Sequence, residues 1–430
     1  MSSEPARKKP GLKLSYLSLG CDKNLVDTEK ILARFKARGY QPAGEAKRSD
    51  VFLINTCAFI DAAKQESIEQ IIAAVERKKA GAIKAIIVTG CLVELCKQEL
   101  AREIPEVDFW LKFSELENMQ DQAPGFSRII TTPSHLSYLK ISEGCDKGCR
   151  FCVIPKIRGK FRSLPEKELL REAKFLAQSG VKELNLVAQD LCEYGKDTGS
   201  SLVRLLEKLL SGTKIPWFRL FYLNPQGLSR ELIKLVASEQ RICNYVDFPF
   251  QHISDRMLKA MGRPEREKMI KSLIEQLRSS IPGVSIRGTA LVGFPGESED
   301  DFEKLAGFIE DSDFDWLGVF AYSAQPGTRG FSLADPVPAE TAQKRKEDLD
   351  SLFLNLAEEK NRGKIGRVFE VLVDGRSDLG FDYQGRSRAQ AYEIDGVTHL
   401  KGRYRRGNFY QVRIVDSWGI DLIGEKIKEG

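Results

Sequence analysis

Two series of alternating strand-like and helix-like runs occupy most of the chain, and this alternation constrains the fold more than any other feature. In the first, "LKLSYLSLG" precedes "NLVDTEKILARFKARG", "DVFLINT" precedes "IDAAKQESIEQIIAAVERKKAG", and "AIKAIIVTG" precedes "LVELCKQELAREIP". Short β-rich runs, each followed by an amphipathic stretch ending in Gly or Pro, are βα units. Their repetition predicts a doubly wound parallel α/β domain over residues 12–120. A connector containing "QAPGFS" and "TTPSH" leads to six strand candidates: "LSYLKIS", "VKELNLVAQ", "IPWFRLFYL", "ICNYVDFPF", "GVSIRGTALVG" and "FDWLGVFAYS". Six βα units exceed a small sheet and fall short of an eight-stranded barrel. They predict a partial, open (β/α)6 barrel within residues 131–360, with its chemistry at the C-terminal strand ends. Past the helical stretch "ETAQKRKEDLDSLFLNLAEEKNRGKIG" the runs shorten into "VFEVLVDG", "FDYQGRSRA", "GVTHLKG" and "NFYQVRIVDSW". Residues 361–430 thus predict a small antiparallel β-barrel of OB-like size.

Composition agrees with several globular domains. The 430 residues exceed what one hydrophobic core serves, and 42% apolar with 30% charged residues leaves neither a disordered nor a fibrous reading. A net charge of +5, from 66 basic and 61 acidic residues, permits an RNA or ribosomal partner without requiring one. No run of 18 uncharged apolar residues occurs and "MSSEPARKKPG" lacks a hydrophobic core, so neither a membrane span nor a secretory signal is expected. Nine cysteines spread over so long a chain suit a reducing, cytoplasmic compartment, where clustered thiols bind metal or do chemistry.

"EGCDKGCRFCVIPKIRG" holds Cys145, Cys149 and Cys152 in a CxxxCxxC spacing directly after the first barrel strand. One loop cannot bury three thiols while satisfying its own backbone. Zinc is the competing ligand, but structural zinc favours four ligands, often two CxxC pairs, and no second pair occurs. Compact thiolate spacing at a barrel mouth favours an iron–sulfur cluster, with one iron left open by the three ligands. Cys21, Cys57 and Cys91 each follow a strand run and precede a helix run, as "SLG-C", "INT-C" and "VTG-C". A single cysteine is most often a packed thiol. Parallel strands, however, bring their C-terminal ends to one sheet edge, so these three converge. Cys96 on a helical pattern and Cys243 within a strand read as packed thiols. Cys192, after the second barrel strand, reads as a non-ligand.

CxxxCxxC with Phe151 before the last cysteine, at the start of a partial (β/α)6 barrel, resembles the radical S-adenosylmethionine (SAM) superfamily. The resemblance implies a [4Fe-4S] cluster whose open iron chelates the amino and carboxylate groups of SAM. Reduction then cleaves the sulfonium to a 5′-deoxyadenosyl radical. It also implies cofactor contacts at strand ends: Gln189 in "VAQD", Gln251 and His252 in "FQHIS", and Gly293 in "LVGFPGE". Taken singly, Gly293 could serve only a turn and His252 only packing. With a second three-cysteine set at Cys21, Cys57 and Cys91 and a terminal barrel similar to the TRAM module, the whole chain resembles the methylthiotransferases. That likeness implies a second [4Fe-4S] cluster carrying the sulfur, one SAM as methyl donor, another as radical source, and a low-potential electron donor.

Two subfamilies differ in substrate, one modifying adenosine in tRNA and the other an aspartate of small-subunit ribosomal protein S-12. "LGCDKNLVDTE", "TCAFIDAAKQESIEQI", "GCLVE", "VAQDLCEYGKD", "FQHISDRMLKAMGR" and "YSAQPGT" resemble the second, and the Gln-Met-Asn string typical of the first is absent. Asp22 stands where that subfamily usually has Pro, and Leu164 interrupts an Arg-Ser-Arg string. Residues 361–430 carry 13 Lys plus Arg against 10 Asp plus Glu, a net of +3, which fits a protein partner better than an RNA grip. "KGRYRRGNF", Lys401 to Phe409, is the RNA-contact alternative to a solvated loop. The expected protein is a monomeric cytoplasmic enzyme acting on S-12, free or in the small subunit. A non-catalytic iron–sulfur RNA-binding protein is the reading of another class.

Overall fold

The computed structural model describes residues 11–44, 48–118 and 128–427. They form two compact units, one of residues 1–131 with 153–159, the other of 132–152 with 160–430.

The first unit runs β1 (Lys13–Ser18), α1 (Asp22–Ala37), β2 (Gln41–Pro42), β3 (Ser49–Thr56), α2 (Asp61–Lys79), β4 (Ile83–Gly90), α3 (Cys91–Glu103), β5 (Phe109–Trp110) and α4 (Phe113–Glu117). The sheet is parallel throughout, in the order β2-β1-β3-β4-β5. Side-chain alternation serves both faces. Phe52, Ile54, Ile86 and Val88 pack with Ile71 and Val75 of α2 and with Leu92 and Val93 of α3. Val51, Leu53 and Ile87 pack with Ile31, Leu32 and Phe35 of α1. This is the doubly wound arrangement, with its order reversing between β1 and β3. Asp22 is the first residue of α1, with Cys21 as N-cap. An acidic side chain favours that end of the dipole and Pro favours the same position for its fixed φ, so the departure from Pro leaves the turn intact.

In the second unit, β6 (Leu136–Lys140) and β7 (Ser142–Glu143) precede the cysteine loop; the short α5 (Ile154–Arg158) that follows it belongs to the first unit. Then come β8 (Arg162–Ser163), α6 (Glu166–Gln178), β9 (Glu183–Val187), α7 (Leu202–Gly212), β10 (Trp217–Leu220), α8 (Arg230–Ser238), β11 (Tyr245–Gln251), α9 (Asp255–Ala260), α10 (Glu267–Ser280), β12 (Ser285–Val292), α11 (Glu299–Asp311), β13 (Trp316–Ala321) and α12 (Ala339–Arg362). Two three-stranded parallel sheets, β10-β9-β6 and β11-β12-β13, are linked by a bridge between Phe218 and Ile242. Six parallel strands in sequential order are the expected open barrel. Cys243, expected inside a strand, lies just ahead of β11, where its N–H donates to Phe218 O at 2.8 Å.

The chain ends in β14 (Val368–Gly375), β15 (Tyr383–Ser387), β16 (Thr398–Lys401), β17 (Phe409–Trp418) and β18 (Asp421–Lys426), a closed barrel in the order β14-β15-β16-β18-β17. Four pairings are antiparallel, but β16 and β18 run parallel. A closed ring of five strands cannot alternate direction all the way round, so the wholly antiparallel expectation is corrected at this one seam. Residues 386–395 of this barrel sit against β10 and the first residues of β11 and β12. Arg219 donates to Arg388 O at 2.8 Å, Ser285 Oγ to Ala389 O at 3.1 Å, and Tyr245 Oη to Asp395 at 2.8 Å. The opposite, C-terminal strand ends are left for chemistry.

Candidate iron–sulfur and cofactor sites

In the first unit, Cys21, Cys57 and Cys91 follow β1, β3 and β4, so two of them flank the position where the strand order reverses. Ligands of doubly wound sheets bind there. Gly20 has φ +83°, and a Cβ on it would lie 2.7 Å from Cys57 Sγ. Gly90, at φ +105°, would place a Cβ 2.4 Å from the backbone N and O of Thr56. Glycine before Cys21 and Cys91 is therefore what allows the three turns to close on one another. Asn24, fully buried, ties them: its Nδ2 donates to Leu19 O at 2.9 Å and Thr56 O at 2.8 Å, and Cys91 Sγ lies 3.6 Å from its Oδ1. Ser67 Oγ accepts from Cys57 N at 3.0 Å and donates to Cys57 O at 2.8 Å.

The rest of "NLVDTE" is also structural. Thr28 Oγ1 meets Ser18 Oγ at 2.8 Å and accepts from Asn55 Nδ2 at 2.9 Å, while buried Glu29 accepts from Thr131 N at 2.6 Å and pairs with Arg128. Arg158 of α5 enters the same site, with Nη1 2.6 Å from Asp27, Nη2 on Asn24 Oδ1 and 3.6 Å from Cys91 Sγ. Burial pushes the Cys91 thiol up to about 12, Arg158 opposing and the neighbouring Cys21 and Cys57 thiols adding to the rise. Burial likewise raises Cys57, with Cys21 contributing. The three thiols are thus within electrostatic reach of each other. Cys96 sits at a kink inside α3, with φ −131°, and serves packing.

In the second unit, Cys145, Cys149 and Cys152 are half-buried on the loop after β7. Gly262, at φ +72°, lets the loop approach, since a Cβ there would meet Gly148 O at 2.7 Å. Arg150 N donates to Met261 O at 2.8 Å. Lys147 pairs with Asp190 at 2.8 Å and Glu193 at 3.4 Å; burial opposes its charge, yet these carboxylates hold it above its ordinary value. Arg263 Nη1 lies 3.8 Å from Cys149 Sγ, its Nη2 3.0 Å from Glu265. A cavity of about 430 Å³ opens here, lined by Cys145, Cys149, Asp190, Asn224, Arg263 and Glu265. Among the described residues, Glu265 Oε2, Gln189 Oε1 and both side-chain polar atoms of fully buried Asn185 have no hydrogen-bond partner. Of these residues Glu265 lines the cavity, where its free oxygen can meet a polar ligand.

Among the described residues no three His, Cys, Asp or Glu side chains close around a single metal ion. Both sets are made only of thiols, the donors that hold iron–sulfur clusters.

The remaining expected contacts divide. Gln189 Nε2 lies 3.5 Å from Glu143, and Gln251 ends β11 in the left-handed region, at φ +69°. Phe151 packs against the cluster of Met257, Met261, Leu291 and Phe294. His252 is fully buried, with Nδ1 accepting from Ile253 N at 2.9 Å and Ser254 N at 3.0 Å, and Nε2 facing Glu297 at 3.8 Å. Gly293 donates its N–H to that same Glu297, and a Cβ on it would lie 2.3 Å from Ala342 Cβ. His252 Nδ1 and the Gly293 N–H thus support the strand-end turns, while His252 Nε2 is left without a hydrogen-bond partner among the described residues. Cys192 is buried under Gly227, where an added Cβ would lie 2.2 Å from its Cβ, and it does not line the cavity. Leu164 donates to Ile141 O at 2.9 Å and accepts from Tyr194 Oη at 3.2 Å. Sequence reasoning missed Asn24, Lys147, Arg158, Asn185, Arg263 and Glu265. The nearest signal was position, since Asn24, Lys147 and Arg158 lie within the quoted cysteine motifs and Arg263 ends "FQHISDRMLKAMGR".

An open six-stranded parallel barrel with a three-thiol loop at its mouth defines a radical SAM protein. Family models agree: residues 13–112 match the uncharacterized protein family UPF0004, 139–309 the Radical SAM superfamily and 365–427 the TRAM domain. The chain is 42% identical to the ribosomal protein uS12 methylthiotransferase RimO of Sulfurihydrogenibium sp., covering 96% of this chain and 99% of that protein. It is 42% identical to the RimO of Aquifex aeolicus, at 96% and 97% coverage, and 39% to that of Clostridioides difficile, at 97% and 99%. Among solved structures it resembles in fold the radical SAM methyltransferase TsrM of Kitasatospora setae, with TM-score 0.52, 13% identity and coverage of 75% and 77%. The chain belongs to the RimO family of radical SAM methylthiotransferases.

Proposed function

We propose that this enzyme inserts a methylthio group at the β-carbon of an aspartate of ribosomal protein uS12, free or in the small subunit. The observation that carries the reading is the convergence of Cys21, Cys57 and Cys91 at one sheet edge, a thiol set separate from Cys145, Cys149 and Cys152. The substrate follows from relatives that bear this name over almost the whole chain. Residues 12–120 would serve the sulfur, 131–360 the radical step and 361–430 docking, in a monomeric cytoplasmic protein fed by a low-potential electron donor.

Each thiol set would hold one [4Fe-4S] cluster, and SAM would bind in the cavity beside Cys145 and Cys149. When bound, these groups supply the hydrogen-abstracting radical, the sulfur and the methyl group. The chain's own residues do the rest. Arg263 offsets thiolate charge at Cys149, and the Lys147–Asp190 pair fixes the loop. Glu265 from the cavity wall, and Gln189, Gln251 and Asn185 from their strands and strand ends, would offer polar atoms to SAM or substrate, and Phe151 would close the apolar side. His252, Glu297 and Gly293 hold the turns from which those contacts project.

Mass spectrometry of uS12 and of digested tRNA from cells lacking the gene tests this. The expected result is loss of the methylthio group on uS12 with tRNA unchanged. Loss of methylthio-adenosine with uS12 still modified would refute the substrate. Replacing Cys145, Cys149 and Cys152 should abolish SAM cleavage. Replacing Cys21, Cys57 and Cys91 should remove about half the iron and leave cleavage measurable, as separate Cys-ligated clusters require.

A further inference from the structure

We propose that Arg158 is a positioning residue of the second thiol site, its guanidinium placed to hold the Cys91 corner of the cluster bound there. The inference rests on the reading that Cys21, Cys57 and Cys91 carry a cluster.

Arg158 closes α5, six residues after Cys152, yet belongs with the first unit. Its side chain is 3% exposed. The two ends of the guanidinium face different chemistry. Nη1 lies 2.6 Å from Asp27, and the group stacks 4.2 Å over the Phe113 ring, contacts that hold α5 in place. Nη2 turns toward the thiols, on Asn24 Oδ1 and 3.6 Å from Cys91 Sγ. Thiolates in so buried a place are costly unless a cation lies beside them. A planar guanidinium can hold amide, carboxylate and sulfur at once, which a lysine ammonium cannot match. Groups that orient metal ligands from behind change metal affinity about 10- to 100-fold when removed.

The test uses the full chain with Cys145, Cys149 and Cys152 replaced by Ala, so that iron reports on the second site. Iron content, iron loss to a chelator and the reduction potential of the cluster are measured with Arg158→Met, Arg158→Lys and Asp27→Asn added singly. Arg158→Met should release iron about 10- to 100-fold more readily. It should also shift the potential negative, because a cation that favours the added electron has gone. Arg158→Lys should restore most of the potential but not the retention. Asp27→Asn, which removes an anion on the far side of the guanidinium, should shift the potential the opposite way.

A merely structural Arg158 would move both charge variants in the same direction, or neither, and that result overturns the inference. If Arg158→Met yields no folded protein, an unshifted potential in Asp27→Asn together with unchanged iron retention in Arg158→Lys overturns it equally. If the triple-Ala background itself binds no iron, the second-cluster reading fails and this inference with it. A loaded background whose potential ignores these changes refutes this inference alone.

Discussion

Replacing Arg386 by methionine should cost this chain about 3–5 kcal/mol, the usual penalty for removing one member of a buried charge network and stranding its partners. Arg386 is fully buried where the C-terminal barrel meets the core. Its Nε lies 2.8 Å from Asp374 Oδ2, and Nη2 lies 2.9 Å from Asp374 Oδ1 and 2.7 Å from Glu183. Glu183 also pairs with Arg219 at 2.8 Å, and Asp374 with His135 at 2.9 Å. Without Arg386 two buried carboxylates share Arg219 and His135 alone. Burial by itself would raise both carboxyls. The charges of Arg386 and Arg219 nevertheless hold Glu183 below its ordinary 4.5, and Arg386 with His135 holds Asp374 below 3.8.

Depressed carboxyls contribute stability that is whole above these ordinary values and lost as pH falls through the lowered folded values. The gap between wild type and Arg386→Met should therefore be largest near pH 7 and shrink below about pH 4. Urea midpoints followed by tryptophan fluorescence measure it, since Trp217 packs edge-to-face on Phe409 at this junction, with centroids 4.8 Å apart. Adding Glu183→Gln and Asp374→Asn should recover part of the loss by removing the stranded charges. A cost under about 1 kcal/mol, as for an exposed pair, or a gap independent of pH from 7 to 3, would refute the reasoning.

Gln251→Gly should raise stability by about 1 kcal/mol, since the left-handed conformation at φ +69° strains a residue with a Cβ, while weakening SAM binding measured by titration calorimetry; a stabilised variant with full affinity would remove Gln251 from the cofactor contacts. Gly90→Ala should lose iron from the Cys21, Cys57 and Cys91 site by forcing Thr56 away, and Gly262→Ala from the CxxxCxxC loop by displacing Gly148. Iron analysis and SAM-cleavage assays should separate the two, with cleavage lost only in Gly262→Ala; equal loss from both would contradict separate sites.

Local patterns made the layers legible. Alternation at Val51–Ile54, flanked by amphipathic helices, announces a sheet buried on both faces, and three cysteines at the same βα junction can only share an edge. What escaped depends on pairings remote in sequence. The order β2-β1-β3-β4-β5, which puts Cys21 and Cys57 on either side of the reversal, is not contained in any window. Asn24 and Arg158 meet across 134 residues. His252 and Gly293 matched a strand-end pattern, but that both lie beside Glu297, and Gly293 against Ala342, depends on residues no local window joins. The parallel seam between β16 and β18 follows from ring closure, a property of the whole barrel.

Net charge alone does not identify the partner of the C-terminal barrel, and burial explains why. Of its 13 cations, Arg386 is buried on Glu183 and Asp374, and Arg388 is turned onto Ile242 O at 2.6 Å. Of its 10 anions, Asp374 and Asp395 are buried, the latter 2.7 Å from Arg287. Setting these aside leaves 11 against 8, the same +3 as before, so the count cannot distinguish internal pairing from a binding face. Local density can. Arg403, Arg405 and Arg406 are exposed on one loop, anchored by buried Tyr404 and by Phe409 against Trp217. Three cations on a pinned loop are what a phosphate contact uses, so near-neutrality of the barrel does not weigh against RNA. The proposed assignment to uS12 therefore rests on the relatives and not on the charge of this barrel.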